Sequence, residues 1–205
     1  MIVYIESNFV LELALGQSES TAARTILELA EAGTIQLIIP SFALSEPFTT
    51  VVQYRVQRNT VIDLLQKQII QLERSARHST LVANILLART LLAQVAKDDL
   101  DSLEQTMMRL LPTTTSIALD TEVFKQARYY EGLYALKLQD AIIYATIVTH
   151  LAQQPPDQTK CFTSRDARAF LDPGIKTELG SYNCRVITSF DQALRYIQSA
   201  VDAAN

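Results

Sequence analysis

Glycine is scarce in this chain, with five residues among 205, and no two of them lie close enough to form a glycine-rich loop. Walker and dinucleotide-binding fingerprints both need such a loop, and a nucleophile elbow needs a G-x-S-x-G sequence that is also missing. The two cysteines, Cys161 and Cys184, are too few for a disulfide framework or a zinc site. His78 and His150 lie in helical sequence without a partner at metal-ligand spacing, which favours structural or surface roles. Any chemistry therefore depends on carboxylates.

Long hydrophobic runs and a secretion leader are also missing. The longest apolar runs, such as residues 141–148, are interrupted before they reach the length of a bilayer. Hydrophobic residues make up 48 % of the chain and charged residues 20 %, which is typical of a soluble globular protein. These features predict one domain over residues 1–205, without membrane association, in the reducing environment of the cytoplasm.

Short apolar runs rich in β-branched residues alternate with helical segments along the chain. The predicted strands are residues 2–5, 35–39, 116–119, 160–163 and 185–188. Such alternation is typical of an α/β fold. We expect a central parallel sheet of four to five short strands, flanked by helices.

Residues 51–111 contain neither glycine nor proline, and their apolar residues recur at helical spacing. Capping residues near 59–60, 78–80 and 97–99 divide the segment. It therefore predicts two or three antiparallel helices, inserted within the domain. Within it, residues 51–89 carry six basic and two acidic residues in a chain of net charge −4. This local excess fits a phosphate-facing stripe and fits a solvated helix face equally well.

Four acidic residues fall where strands end or helices begin. Glu6 follows the first strand and Asp166 follows the fourth, and ligands of open parallel sheets bind at the carboxyl ends of strands. Glu46 and Asp140 lie near predicted helix starts. Taken alone, Asp140 is best explained as a helix N-cap and Glu46 as a surface acid.

Four short blocks contain these acids in a characteristic order. They are residues 3–8 (VYIESN), 39–46 (IPSFALSE), 138–145 (LQDAIIYA) and 161–166 (CFTSRD). In this order they resemble the motifs of the PIN-domain family, in which the acids are Asp, Glu, Asp and Asp. The resemblance covers the first 50 residues and the stretch from about 116 to 190. No block is specific alone.

The resemblance implies a metal-dependent endoribonuclease that hydrolyses RNA phosphodiester bonds. Glu6, Asp140 and Asp166 would ligate Mg²⁺ or Mn²⁺ directly, because hard oxygen ligands select these ions over zinc. Glu46 would act through a bound water or as the base for the attacking water.

Two further residues in the blocks are expected to orient the carboxylates by hydrogen bonds. They are Asn8 and Ser164, and Ser164 replaces the usual Thr of the family while keeping its hydroxyl.

One residue departs from the family pattern at a sensitive position. Glu6 stands where the family has Asp, and octahedral Mg²⁺ tolerates little error in ligand position. A preference for Mn²⁺, weak activity and lost activity are all compatible with the longer side chain. The alternative function is therefore a PIN-fold scaffold that binds RNA or a protein without cutting.

Partners follow from the same resemblance, because many PIN domains are toxins of bacterial toxin–antitoxin pairs. The expected partners are RNA, an antitoxin protein, and a second copy bound through the helices of residues 51–111. Tyr129, Tyr130 and Tyr134 could stack on bases, although core packing is the favoured role for them.

Overall fold

The computed structural model describes residues 1–203, and in this part of the chain five strands form one sheet. The strands are β1 (Ile2–Tyr4), β2 (Gln36–Pro40), β3 (Thr114–Ile117), β4 (Lys160–Thr163) and β5 (Cys184–Ile187). Their order is β3-β2-β1-β4-β5, and every neighbouring pair is parallel. The α/β prediction is confirmed, although β3 begins and ends two residues before the predicted strand.

Helices connect and flank these strands. They are α1 (Ser7–Ala14), α2 (Ser20–Glu31), α3 (Glu46–Leu72), α4 (Ser79–Leu110), α5 (Thr121–Tyr134), α6 (Leu138–Leu151), α7 (Ala167–Phe170), α8 (Pro173–Ser181) and α9 (Phe190–Asp202). The short helices α7 and α8 were not predicted from the sequence. Both begin after an aspartate whose side chain accepts backbone N–H groups of the first turn.

The core surrounds the central strand β1, whose three residues are fully buried. A strand covered on both faces is apolar throughout, as the sequence Ile-Val-Tyr is here. Helix α6 is buried almost all round, with nine of its 14 residues inaccessible to solvent. Residues at the ends of β1 and α6 are therefore anchored to well-buried elements.

Helices α3 and α4 form a long antiparallel hairpin, as predicted for residues 51–111. Arg58 pairs with Asp99 at 2.6 Å, and Arg89 contacts Gln66, which fixes the register of the two helices. The predicted breaks near residues 59–60 and 97–99 are wrong, and only the break near 78–80 exists. The hydroxyl of Thr60 donates to the Val56 carbonyl of its own helix, so it does not cap a new one.

One described segment, Ala76–Leu110, is long and apolar enough to cross a membrane by length and composition alone. No such segment was expected from the sequence, because its uninterrupted apolar runs are short. Here an 18-residue window reaches a mean hydropathy of 1.4 while only 11 % of it is buried. Much of its apolar surface is exposed, including Leu87 and Leu91. A single such helix is weak grounds for a membrane span, since some core helices of soluble proteins pass the same test.

Candidate metal centre

The acids expected at the site come from four different elements around the carboxyl edge of the sheet. Glu6 follows β1 and is the N-cap of α1, and Asp166 follows β4 and is the N-cap of α7. Glu46 and Asp140 lie in the first turns of α3 and α6. Negative charge is stabilised at these helix N-termini by the backbone dipoles.

Glu6 is the most buried of these acids, with 3 % of its surface exposed. Its Oε2 atom accepts the Ser7 hydroxyl at 2.8 Å and the Asn8 backbone N–H at 3.0 Å. Its Oε1 atom is buried and has no hydrogen-bond partner within residues 1–203. Burial raises the pKa of Glu6, and the hydrogen bonds from Asn8 and Ser7 only partly offset this rise.

Ser7 links two of the acids and was missed by the sequence analysis. Its Oγ atom lies 2.8 Å from Glu6 Oε2 and 2.7 Å from Glu46 Oε2. A hydroxyl has one hydrogen and can donate to only one of these carboxylates at a time. The other carboxylate is then left short of a donor unless it is protonated or meets a cation. The available signal was the position of Ser7, directly after the strand-ending acid.

The ionisation of Asp140 is coupled electrostatically to two of the other acids. Burial raises its pKa first, the negative charges of Asp166 and Glu46 raise it further, and the positive charge of Lys137 opposes the rise. The N-cap interpretation of Asp140 is wrong, because α6 begins at Leu138 and its capping position is Lys137. Asp140 is therefore free to face the other carboxylates.

Ser164 connects the Glu6 side of the centre with Asp166. Its Oγ atom accepts the Asp166 backbone N–H at 2.9 Å, and its side chain lies near enough to Glu6 to lower the pKa of that carboxyl. The Asp166 carboxylate in turn accepts the Ala169 N–H at 2.9 Å. Asn8 donates to Glu6 from its backbone N–H. The orienting roles of Ser164 and Asn8 stay a prediction.

A half-buried ion pair supports the loop that carries Asp166. Arg165 donates to Glu12 at 2.7 Å, and Glu12 is completely buried in α1. Sequence reasoning missed this pair, because the two residues lie 153 positions apart. The pair ties the loop after β4 to the helix that begins at Glu6.

The side chains do not converge on a single point in their present rotamers. Within residues 1–203, no three acidic, histidine or cysteine side chains lie close enough to hold a metal ion. Three of the carboxylates accept hydrogen bonds from the protein itself, on Glu6, Glu46 and Asp166. The centre consists of two pairs: Glu6 and Glu46 are joined by the Ser7 hydroxyl, and Asp140 and Asp166 are coupled by their charges. The assignment of ligands stays a prediction.

The residues nevertheless fit a hard divalent cation in two respects. Carboxylate oxygens are the ligands that Mg²⁺ and Mn²⁺ prefer. The buried, unpartnered Oε1 atom of Glu6 is an acceptor that the protein leaves unsatisfied, which costs free energy in the absence of a cation.

A cavity of about 290 Å³ opens beside Asp140 and Asp166. Two cationic side chains, Lys137 and Arg168, also line it, as does Tyr134. Neither cation was singled out from the sequence. Their positions beside the acids are suited to a phosphate group, because cations next to carboxylates can bind an anion that a metal also contacts.

The tyrosines of α5 are largely structural, as favoured from the sequence. The hydroxyls of Tyr130 and Tyr134 donate to one carboxylate, Glu178 of α8, at 2.6 and 3.0 Å. Tyr144 of α6 donates to the same carboxylate at 2.7 Å. Burial and this carboxylate raise the pKa of Tyr134 to about 12. Tyr129 is different, since 64 % of its surface is exposed.

The raised pKa of Glu6 predicts an unusual pH dependence of stability. A carboxyl with a higher pKa in the folded state binds more protons there than in the unfolded state, so stability falls as pH rises through that window. In EDTA at pH 8, the melting temperature of Glu6→Gln should therefore be higher than that of the parent. The expected rise is ~2–4 °C for each kcal/mol by which the substitution increases the free energy of unfolding. The two melting curves should converge below about pH 4, where free glutamate is protonated.

The matched control for this melting experiment is Glu104→Gln, on the exposed surface of α4. It should leave the melting temperature unchanged at both pH values. If Glu6→Gln melts no higher than the parent at pH 8, the buried carboxylate is not strained.

A parallel α/β domain with acids at the carboxyl edge of its sheet is the architecture of a family of nuclease-like domains. A family model described as PIN domain matches residues 3–170. The chain therefore belongs to the PIN-domain family, whose members are generally nucleases that use divalent metals. No curated protein and no solved structure significantly matches the chain.

Proposed function

We propose that this protein is a metal-dependent endoribonuclease. Its metal centre would be formed by four acids, two that follow strands and two in the first turns of helices. The acids are Glu6, Glu46, Asp140 and Asp166. The observation that carries the proposal is the buried Oε1 atom of Glu6, which has no partner within residues 1–203 although it lies at the ligand-binding edge of the sheet.

Each acid has a distinct part in the proposed reaction. Glu6, Asp140 and Asp166 would hold Mg²⁺ or Mn²⁺, which lowers the pKa of a water molecule and neutralises charge on the phosphoryl group when bound. Glu46 would accept the proton of the attacking water. Its Oε2 atom lies 2.7 Å from the Ser7 hydroxyl, which would hold the carboxylate in place.

The cations of the adjacent cavity complete the proposal. Lys137 and Arg168 would bind the scissile phosphate or its neighbour, since they flank Asp140 and Asp166 in the same cavity. A guanidinium can bind two phosphate oxygens at once, whereas an ammonium acts as a point charge. Together they would position the phosphodiester against the carboxylates.

The test is cleavage of labelled single-stranded RNA by the purified chain. We expect cleavage in Mn²⁺ or Mg²⁺, none in EDTA, and restoration when metal is added back. A matched DNA strand identifies the sugar preference. Cleavage that continues unchanged in EDTA would exclude the metal mechanism.

The scaffold alternative is favoured by one observation, namely the glutamate at position 6. The RNA-cleavage assay distinguishes the scaffold from the nuclease when the variant Glu6→Asp is measured beside the parent. If the parent binds RNA without cutting it, and Glu6→Asp gains neither metal binding nor cleavage, the chain is a binding scaffold.

The proposal extends to partners of the hairpin formed by α3 and α4. Leu64, Leu87 and Leu91 are each more than half exposed there. This apolar surface supports docking of an antitoxin protein or of a second copy. As the toxin of such a pair, the chain would arrest growth on expression, and the antitoxin would relieve the arrest.

A further inference from the structure

One cavity lies away from the carboxylates, between the edge strand β5 and helix α9. It has a volume of about 800 Å³. Its polar lining consists of three cations and a set of uncharged hydrogen-bonding groups. The cations are Lys176, Arg185 and Arg195, and the uncharged groups include Thr188, Gln192 and Ser199. We call this cavity the β5 groove.

The charge of the β5 groove is unusual for this protein. Within residues 1–203 no acidic residue lines it, although the chain as a whole has a net charge of −4. Three cations gathered in one concave surface concentrate positive potential there. Such a surface binds anions.

One of the three cations is held in place by an aromatic ring. The Arg185 guanidinium lies over the Tyr196 ring, 5.4 Å from its centroid. Stacking on the ring leaves the edge of the guanidinium available for hydrogen bonds, and this edge can pair with two phosphate oxygens. The cation is therefore partly preorganised for a phosphate.

The groove adjoins the loop after β4 at one point of the sheet. Strand β5 pairs in parallel with β4, with Ile187 opposite Thr163. The Ser164 N–H donates to the Ile187 carbonyl at 3.1 Å, and Thr188 of the groove is the next residue of the chain. A long linear polymer bound at the carboxylates can extend past Ser164 to this point. Such an adjacency favours a nucleic-acid strand over a short acidic peptide.

We infer that the β5 groove binds the phosphate backbone of single-stranded RNA and leads the strand to the carboxylate centre, an inference that rests on the proposed nuclease function. Lys176, Arg185 and Arg195 neutralise the phosphates, and the uncharged groups donate to the backbone without reading the base. Binding along the groove is therefore independent of sequence. These residues lie beyond the segment 3–170 that matches the PIN-domain family.

The test measures binding separately from cleavage. A labelled 12-nucleotide oligouridine is titrated in EDTA with Asp140→Asn, which keeps the RNA intact, and with the same chain carrying Lys176→Gln, Arg185→Gln and Arg195→Gln. Single-stranded contacts contribute about −0.7 to the salt slope per phosphate, so losing three should reduce the slope by ~2 and weaken binding ~100-fold at 0.1 M salt.

The control removes the same charge from the hairpin, with Arg55→Gln, Lys67→Gln and Arg74→Gln. These exposed residues belong to the basic stretch 51–89, so the control also tests the alternative stripe. We expect a smaller change in affinity and in salt slope. If the hairpin triple weakens binding as much as the groove triple, or if polyglutamate competes as well as RNA, the groove assignment is overturned. Unchanged melting curves verify that both triples fold.

Cleavage gives a second and independent readout. In the otherwise unaltered chain, the groove triple should raise KM for long RNA while kcat is retained. If the chain cuts no RNA but the groove triple still abolishes binding, the nuclease proposal fails and the groove stands. If the chain cuts RNA and the groove triple leaves both binding and KM unchanged, the groove fails and the nuclease proposal stands.

Discussion

Asp140→Asn should reduce RNA cleavage by at least ~10³-fold, which corresponds to ~4 kcal/mol of transition-state stabilisation. The substitution keeps the size of the side chain and removes its charge, and a neutral amide is a poor ligand for a hard cation. The free energy of unfolding should not fall in parallel. Burial and the neighbouring charges of Asp166 and Glu46 already disfavour the ionised carboxyl, as its raised pKa reflects. Single-turnover cleavage and a thermal melt measure the two effects.

The same isosteric change on an exposed aspartate provides the control. Asp63→Asn lies on the solvent side of α3 and should alter neither cleavage nor melting. Calorimetric titration with Mn²⁺ adds a readout that does not depend on substrate, and Asp140→Asn should lose most of the binding heat. Cleavage within 10-fold of the parent would remove Asp140 from the centre.

Local patterns were sufficient to predict the five strands and the acids that follow two of them, whereas Glu46 and Asp140 were assigned through the family resemblance. The run before Glu6 is apolar and β-branched because β1 is buried on both faces, and this signal needs no knowledge of distant residues. The acids at strand ends also follow from sequence order, since parallel strands bring their carboxyl ends to one edge. Helix α7 was missed because its four residues are too few to produce a periodic pattern.

Long-range contacts were beyond the reach of these patterns. The Ser7 hydroxyl reaches Glu46 across 39 positions, and Arg165 reaches Glu12 across 153. Hairpin breaks were predicted at capping residues near 97–99, yet Asp99 pairs with Arg58 of the other helix and α4 continues. A residue that can cap a helix can equally pair across a helix interface, and only the tertiary contact decides which.

Lys160 shows the same limitation most clearly, because a lysine at the start of a strand is expected at the surface and this one is completely buried. Its Nζ atom donates to three backbone carbonyls, those of Pro155 at 2.6 Å, Gln158 at 2.8 Å and Tyr182 at 3.1 Å. The ammonium thus joins the loop before β4 to the residues that lead into β5. Burial lowers the pKa of Lys160. The three carbonyls therefore replace only part of the solvation that water would give the ammonium.

Lys160→Met should lower the free energy of unfolding by at least about 1.5–3 kcal/mol, the range for one hydrogen bond to a charged group. Methionine can fill the space of the alkyl chain but cannot donate. The Tyr182 carbonyl then loses the donor that Lys160 supplies. The Pro155 carbonyl, by contrast, keeps the Gln158 N–H, and the Gln158 carbonyl keeps the Asn183 side-chain amide. Domains of ordinary stability have about 5–15 kcal/mol in total. Urea denaturation at pH 7 should show a lower midpoint with an unchanged slope.

Lys125→Met separates this effect from the loss of any lysine. Lys125 forms a surface ion pair with Glu122 at 2.7 Å, and its side chain is 66 % exposed. Pairs of this kind contribute about 0–1 kcal/mol, so the control should barely move the midpoint. If Lys160→Met also costs less than about 1 kcal/mol, water must be able to replace the ammonium at the three carbonyls. The loop before β4 would then be held by packing and by the Asn183 side-chain amide, which donates to the carbonyls of Asp157 and Gln158 at 3.2 and 3.3 Å. The Lys160 ammonium would add little to the stability of this loop.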